Sequence, residues 1–258
     1  MLRQYLKSLA DKFREKFEMT EFEKLNAQDF PDLIDEVYEY GKQAGGGGSS
    51  DSGKEVWKGI TNNGKNTVYT NRFQYWNLDY FYPCFDLQPT NAGYMFAQTT
   101  NDNPIDLVAR LEQCGVSLNF SNCTSMARTF YIADIYRIGV VDCTSATGLD
   151  YTFNSAFIKT IEKLKVDKDN TFSNTFGNAL EEIRFEGEIG NNINLSSCTK
   201  LSHDSMINNE GTGVINVLAT LESGVTRTLS LGTNLAKLSD AEKAVATQKG
   251  WTIADGNY

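Results

Sequence analysis

The 258 residues are 40% hydrophobic and 22% charged, an ordinary globular composition with enough apolar material for a substantial core. Lys+Arg 24 against Asp+Glu 33 leaves a net charge of −9, and with no local basic stripe this argues against nucleic acid as a partner. Five cysteines are an odd number in such a chain, which predicts free thiols rather than a disulfide framework, and no run nears the roughly 18 apolar residues of a membrane span.

The N-terminus, Met1 to Lys7, alternates charge with apolar residues, so no secretory signal is read. Residues 1–43 are expected to form a helical hairpin. Leu2, Leu6, Leu9, Phe13 and Phe17 recur at three and four and share one helical stripe. A second helix is signalled by Asp29-Phe30-Pro31, with Leu33, Ile34, Val37 and Tyr38 on its apolar face. So small a hairpin must dock or self-associate, which makes a homo-oligomer through residues 1–43 an expectation. The Gly/Ser-rich stretch 44–54 reads as a flexible linker of about 15–20 Å reach.

From residue 55 onward the expected fold is an α/β repeat solenoid, a leucine-rich-repeat-like parallel sheet with an irregular or helical convex side. Residues 55–115 would be its N-terminal cap, dense in aromatics: Tyr69, Phe73, Tyr75, Trp76, Tyr80, Phe81, Tyr82 and Phe85. A sugar-binding platform is the other reading of that density. Within the cap, Ile105 to Cys114 reads as a helix with Leu107, Val108 and Leu111 inward.

The solenoid reading rests on a short frame: two apolar residues separated by one, then two residues, then Cys-Thr. It appears as Leu118-Asn119-Phe120 before Cys123, Ile138-Gly139-Val140 before Cys143, and Ile193-Asn194-Leu195 before Cys198. Degenerate copies are Leu164-Lys165-Val166, with Asp169 at the cysteine position, and Leu229-Ser230-Leu231, with Asn234 there. Three further apolar positions, Ile135, Ile161 and Leu180, lie three places upstream of Ile138, Leu164 and Ile183. Thr129-Phe130, Thr152-Phe153 and Thr175-Phe176 recur 23 residues apart and would fill the core from the far side. A short parallel strand sends alternate side chains inward, so Leu118, Ile138 and Leu164 should stand abreast. The residues between, Asn119, Gly139, Lys165, Arg184, Asn194 and Ser230, would face outward as a ligand-facing row. Ile183-Arg184-Phe185 and Ile193-Asn194-Leu195 lie too close for successive repeats, and the spacing leaves open which belongs to the main sheet. Residues 200–258 read as a helical C-terminal cap, with helices over Thr212 to Leu221 and Ala241 to Lys249 and a closing strand at Trp251-Thr252-Ile253.

No catalytic, cofactor-binding or metal-binding residue is assigned. Ser202-His203-Asp204-Ser205 holds the three triad residue types, but adjacent residues do not turn toward one another as nucleophile, base and orienter. Asp167-Lys168-Asp169-Asn170 lacks the glycine and the last acid of a calcium loop. Cys123, Cys143 and Cys198 form no C-x-x-C pair and read as structural thiols.

The phrases Asn192 to Ser202 and Leu235 to Lys243 resemble the BspA-like leucine-rich-repeat proteins of gut Firmicutes and their prophages. Ser8 to Lys16, followed by Asn26 to Pro31, is similar to an N-terminal helical module of prophage tail-associated proteins. Together the two resemblances span nearly the whole chain outside the linker. They imply a solenoid without a cofactor, not an enzyme, in an adhesive or virion-structural role. The implied partners are a protein or glycan on a host or bacterial surface, or other virion proteins; the implied location is virion-associated or extracellular after cytoplasmic synthesis. The stretch Ile207 to Gly213 departs from the pattern, where an uninterrupted helix is expected.

Overall fold

A computed structural model describes residues 65–83, 86–155 and 157–256. The chain divides into two units, Met1–Ile60 and Thr61–Tyr258, and the described residues belong to the second. The expected hairpin 1–43, the linker 44–54 and the start of the aromatic cap lie outside them.

In chain order the first elements are β1 (Lys65–Val68), β2 (Gln88–Asn91), β3 (Ile105–Asp106), α1 (Leu107–Cys114), β4 (Ile135–Asp142), β5 (Thr160–Val166) and β6 (Glu182–Gly187). There follow β7 (Ile193–Asn194), β8 (Ser205–Ile207), β9 (Glu210–Thr212), α2 (Gly213–Thr220), β10 (Arg227–Ser230), α3 (Asp240–Gln248) and β11 (Trp251–Ala254). Among the described residues the architecture is one of mainly parallel sheets with three α-helices. A four-stranded sheet runs β3-β4-β5-β6 and a three-stranded sheet β11-β10-β7; β1 pairs with β2, and β8 and β9 form the only antiparallel pair among the described residues.

Each strand of the main sheet meets its partner one chain pass later. Ile138 stands beside Ile161 and Ile161 beside Ile183, while Val141, Leu164 and Phe185 form the next rung. This corrects the expected register, in which Leu118, Ile138 and Leu164 stood abreast: Leu118 lies outside this sheet and bridges Leu87. The reason lies in the spacing of the inward positions. In β4 the buried residues are Ile135, Ile138 and Val141, and in β5 Ile161, Leu164 and Val166, so two outward residues separate some inward pairs. Val140 consequently faces out and is 51% exposed. The strand β6 drops the extra residue, producing the register shift between Ile161 and Leu164.

The turn residues move with the register. Cys143 N donates to Lys165 O at 2.8 Å, which aligns Cys143 with the end of β5 rather than with Asp169. The buried turn residue after β5 is Asn170: its amide donates to Cys143 O at 3.2 Å and to Ala146 O, and its Oδ1 accepts from Asp167 N at 2.8 Å. Asn234 is likewise buried and donates to Cys198 O at 2.9 Å. An amide that can both donate and accept satisfies backbone groups that a turning chain leaves unpaired. The two neighbouring segments around Ile183 and Ile193 belong to different sheets, the first to the main one and the second to the three-stranded one.

Away from the strands, phenylalanine rings stack through the core. Phe73, Phe96, Phe130, Phe153 and Phe176 follow one another at centroid distances of 5.2, 5.4, 5.7 and 6.0 Å with interplanar angles of 20°, 6°, 13° and 12°. Beside them the buried hydroxyls of Thr129, Thr152 and Thr175 donate to Met126 O at 2.7 Å, Met126 O at 2.9 Å and Leu149 O at 2.8 Å. The turns carrying these rings satisfy their backbone in an alternating way. Tyr94, Phe96 and Gln98 N donate to the next turn at Ala127, Thr129 and Tyr131 O, while Met95 and Ala97 N close bonds within their own turn. Left-handed backbone accompanies these turns at Tyr94, Gln98, Arg128, Ile132 and Tyr151, at φ 53–57°. Each costs on the order of 1 kcal/mol for a non-glycine residue, offset by the backbone bonds made.

Of the described cap aromatics, Tyr69, Phe73 and Phe81 are fully buried and Trp76 stacks on Phe73 at 5.5 Å, while Tyr75 and Tyr82 are exposed. The far edge of the main sheet is closed by a side chain. Asn216 of α2 accepts from Phe185 N at 2.6 Å and donates to Phe185 O at 3.2 Å, occupying the bonds that a further strand would make. The helix α2 starts at Gly213, whose φ of +77° and whose approach to Ser202 O, 2.4 Å from where a Cβ would sit, tolerate no side chain. The departure at Ile207 to Gly213 is the β8–β9 hairpin, turned by Asn208 and Asn209 with φ 52° and 64°, both in the left-handed region that a two-residue hairpin turn requires. Lys249 then caps the C-terminal end of α2, donating to the carbonyls of Leu218, Ala219 and Leu221 at 3.2, 2.8 and 2.8 Å. The helix α3 opens with a capping box between Ser239 and Glu242.

Candidate functional site on the outer face of the main sheet

The outward residues of β4, β5 and β6 make one polar surface, because the inward rungs Ile138–Ile161–Ile183 and Val141–Leu164–Phe185 turn the intervening side chains to solvent. Opposite charges alternate across it. Arg137 pairs with Asp106 at 3.0 Å and with Glu162. One strand further, Lys163 meets Glu186 at 2.9 Å and Glu210 at 3.5 Å, and Arg184 reaches the same two carboxylates at 3.1 Å each. Lys165 lies 3.9 Å from Glu186. Hydrogen bonds from Lys163 and then Arg184 hold the Glu186 carboxyl below the usual carboxylate range. These groups are partly exposed, so each pair contributes little to stability, and the network matters as a patterned surface.

At the β3 end of the same face, α1 leans over β4 and leaves an apolar groove of about 230 Å³. Val108, Leu111, Val116 and Leu118 form its walls, Gly139 and Val140 its floor, and Glu112 and Glu162 bring carboxylates to it. The side chain missing at Gly139 lets the helix come this close, since Val108 Cγ2 would lie 3.2 Å from a Cβ there. Its volume falls short of the roughly 300–1,000 Å³ of a small-molecule pocket.

The expected ligand-facing row is only partly assembled. Lys165 and Arg184 do lie on this face, with side chains 37% and 19% exposed. Asn119 is exposed but outside the sheet, its Oδ1 accepting from Ser121 N at 2.9 Å. Asn194 belongs to the three-stranded sheet and accepts from Ser196 N at 2.9 Å and Ser196 Oγ at 2.7 Å. Ser230 is not outward at all: it is buried, bonded through Oγ to Gly256 O, between the buried Leu229 and Leu231. Sequence reasoning missed Arg137, Glu162, Lys163, Glu186 and Glu210. The alternating charges of Glu162-Lys163 and Glu182-x-Arg184-x-Glu186 were the available signal.

His203 and Ser205 turn to different partners. His203 Nε2 lies 3.1 Å from Glu242 Oε1, outside hydrogen-bonding geometry, whereas Ser205 Oγ donates to Glu182 Oε1 at 3.1 Å and lies 2.7 Å from Thr212 Oγ1. The described cysteines 114, 123, 143 and 198 are buried, and Cys123, Cys143 and Cys198 are free thiols. Burial pushes the thiols of Cys123 and Cys143 up and that of Cys198 to about 12, which keeps them protonated and poorly nucleophilic. Among the described residues no three His, Cys, Asp or Glu side chains cluster to hold a metal ion, and no helix is long and apolar enough to cross a membrane. Comparison with protein-family models, with curated proteins and with solved structures gives no match.

Proposed function

We propose that this region is a leucine-rich-repeat-like solenoid that acts without catalysis, binding a partner through the outer face of its main sheet. The observation that carries the reading is the joining on one exposed surface of an apolar groove and a lattice of charges, an anchor site beside polar positions that set register. The solenoid reading is supported by strand partners lying one pass apart along the chain and by the stacked phenylalanines, both of which suit layers that bury their faces only against neighbours. With the resemblance to BspA-like proteins and to prophage tail modules, the partner is a protein or glycan on a host or bacterial surface. Residues 1–43 would then serve as the anchoring or oligomerising module and 44–54 as the reach.

A purely structural role, with copies packing on one another or on tail proteins, is the second reading. It is favoured by the mixture of both charge signs on one face, which makes that face self-complementary. Val140→Asp and Lys165→Glu in the full chain distinguish the two. Both residues are exposed enough that their replacement leaves the melting curve within about 1 kcal/mol of wild type. As a binder, the wild-type chain captures at least one member of a panel of surface glycans and host proteins, and each substitution weakens capture by about tenfold or more without changing the sedimentation profile. As a structural component it captures none, and the substitutions abolish concentration-dependent self-association. A chain that does neither contradicts both.

A further inference from the structure

Three successive turns bring Tyr94, Arg128, Tyr131 and Tyr151 together, since Tyr94 N donates to Ala127 O and Arg128 N to Asp150 O. Arg128 Cζ lies 5.3, 5.9 and 5.1 Å from the ring centroids of Tyr94, Tyr131 and Tyr151, and Tyr131 meets Tyr151 edge-on at 5.9 Å. The guanidinium donates through Nη1 to the Tyr94 hydroxyl, and Asn174 Nδ2 donates to the Tyr151 hydroxyl at 3.2 Å. All four side chains are half-buried, each offering part of its surface to solvent.

The charge balance here differs from that of the sheet face. Arg137, Lys163, Lys165 and Arg184 each lie within 4 Å of a carboxylate. Arg128 pairs with no carboxylate among the described residues, in a chain whose net charge is −9. A planar cation braced against aromatic faces, with most of its fork of donors unspent, suits bidentate recognition of a carboxylate. The surrounding half-exposed tyrosines add apolar ring surface beside the cation for a saturated ring and hydroxyls for its polar substituents. A carboxylate on a hydroxylated saturated ring is the chemistry of an acidic sugar.

We propose that Tyr94, Arg128, Tyr131 and Tyr151 form a binding site for a uronic-acid residue of an acidic glycan. This site is independent of the sheet-face reading, so Val140→Asp and Lys165→Glu leave it intact.

The test is calorimetric titration of the full chain with tetragalacturonic acid and with a hyaluronan tetrasaccharide, using fully methyl-esterified tetragalacturonate and a tetraglutamate peptide as controls. At least one acidic sugar binds, and both controls bind about tenfold or more weakly. Arg128→Gln and Tyr151→Ala each cost at least about tenfold in affinity, the scale of a lost charge-assisted contact. Should Arg128→Gln fail to fold, Arg128→Lys, which keeps the charge and loses the planar fork, shows the same loss. Absence of binding by both acidic sugars, equal binding of the ester or of tetraglutamate, or wild-type affinity in the folded Arg128 variant overturns the proposal.

Discussion

Gly177→Ala is expected to destabilise the protein by at least about 3 kcal/mol, the upper range for overpacking a tight site. A Cβ at this position would lie 2.1 Å from Ser155 O, 2.7 Å from Ser155 N and 2.8 Å from Ser155 C. Those atoms are backbone, so no rotamer change relieves the clash; the two passes of chain must separate. Gly177 N donates to Phe153 O at 3.2 Å and Gly177 O accepts from Cys198 Sγ at 3.4 Å, so separation breaks contacts on both sides. Gly211→Ala is the control, because nothing lies within 4 Å of a Cβ there. Urea denaturation of the two variants checks the expectation, and equal midpoints would refute the close approach.

Phe153→Ala carries the other large effect, about 3–5 kcal/mol for a buried ring. Phe153 is 1% exposed and lies between Phe130 and Phe176, so its loss opens a cavity and interrupts the stack in its interior. The arrangement also predicts how the effect spreads. In double-mutant cycles Phe153→Ala should couple with Phe130→Ala, which it touches, by about 0.5 kcal/mol or more, and combine additively with Phe73→Ala, two rings further on. Coupling of the same size to Phe73 would mean that the rings do not act through nearest neighbours.

The location of β4, β5, β6, β7 and β10 was legible because apolar pairs mark them, whereas Leu118-Asn119-Phe120 carries the same pair and forms no strand, and the direction of individual side chains was not legible. A frame built on strict alternation places Val140 inward, whereas the two outward residues Gly139 and Val140 between Ile138 and Val141 reset the phase. The same blindness moved the turn residue from Asp169 to Asn170. The ring stack was readable where threonine precedes phenylalanine, at Phe130, Phe153 and Phe176. Phe73 was read only as a cap aromatic and Phe96 was not read, because Arg72 and Met95 stand in the threonine position and because α1 falls between Phe96 and Phe130. The hairpin at Asn208-Asn209 was passed over although two adjacent asparagines suit left-handed turn positions. The alternating charges of β5 and β6 were visible in the sequence but their partner from the hairpin was not, since Arg184 and Glu210 meet only when that hairpin folds back beside β6.

Deletion of one whole pass of chain measures most directly whether the layers stack interchangeably, as proposed. Removing residues 145–167 takes out 23 residues, the interval between Phe130 and Phe153, and brings β4 against β6 with Phe130 facing Phe176. A quasi-one-dimensional stack loses one layer and keeps its neighbours' contacts, so this variant should unfold in a single cooperative transition at a reduced midpoint. Removing only residues 145–156, a fraction of a pass, should leave no folded baseline. A folded shorter deletion, or an unfolded 23-residue deletion, would contradict the stacking.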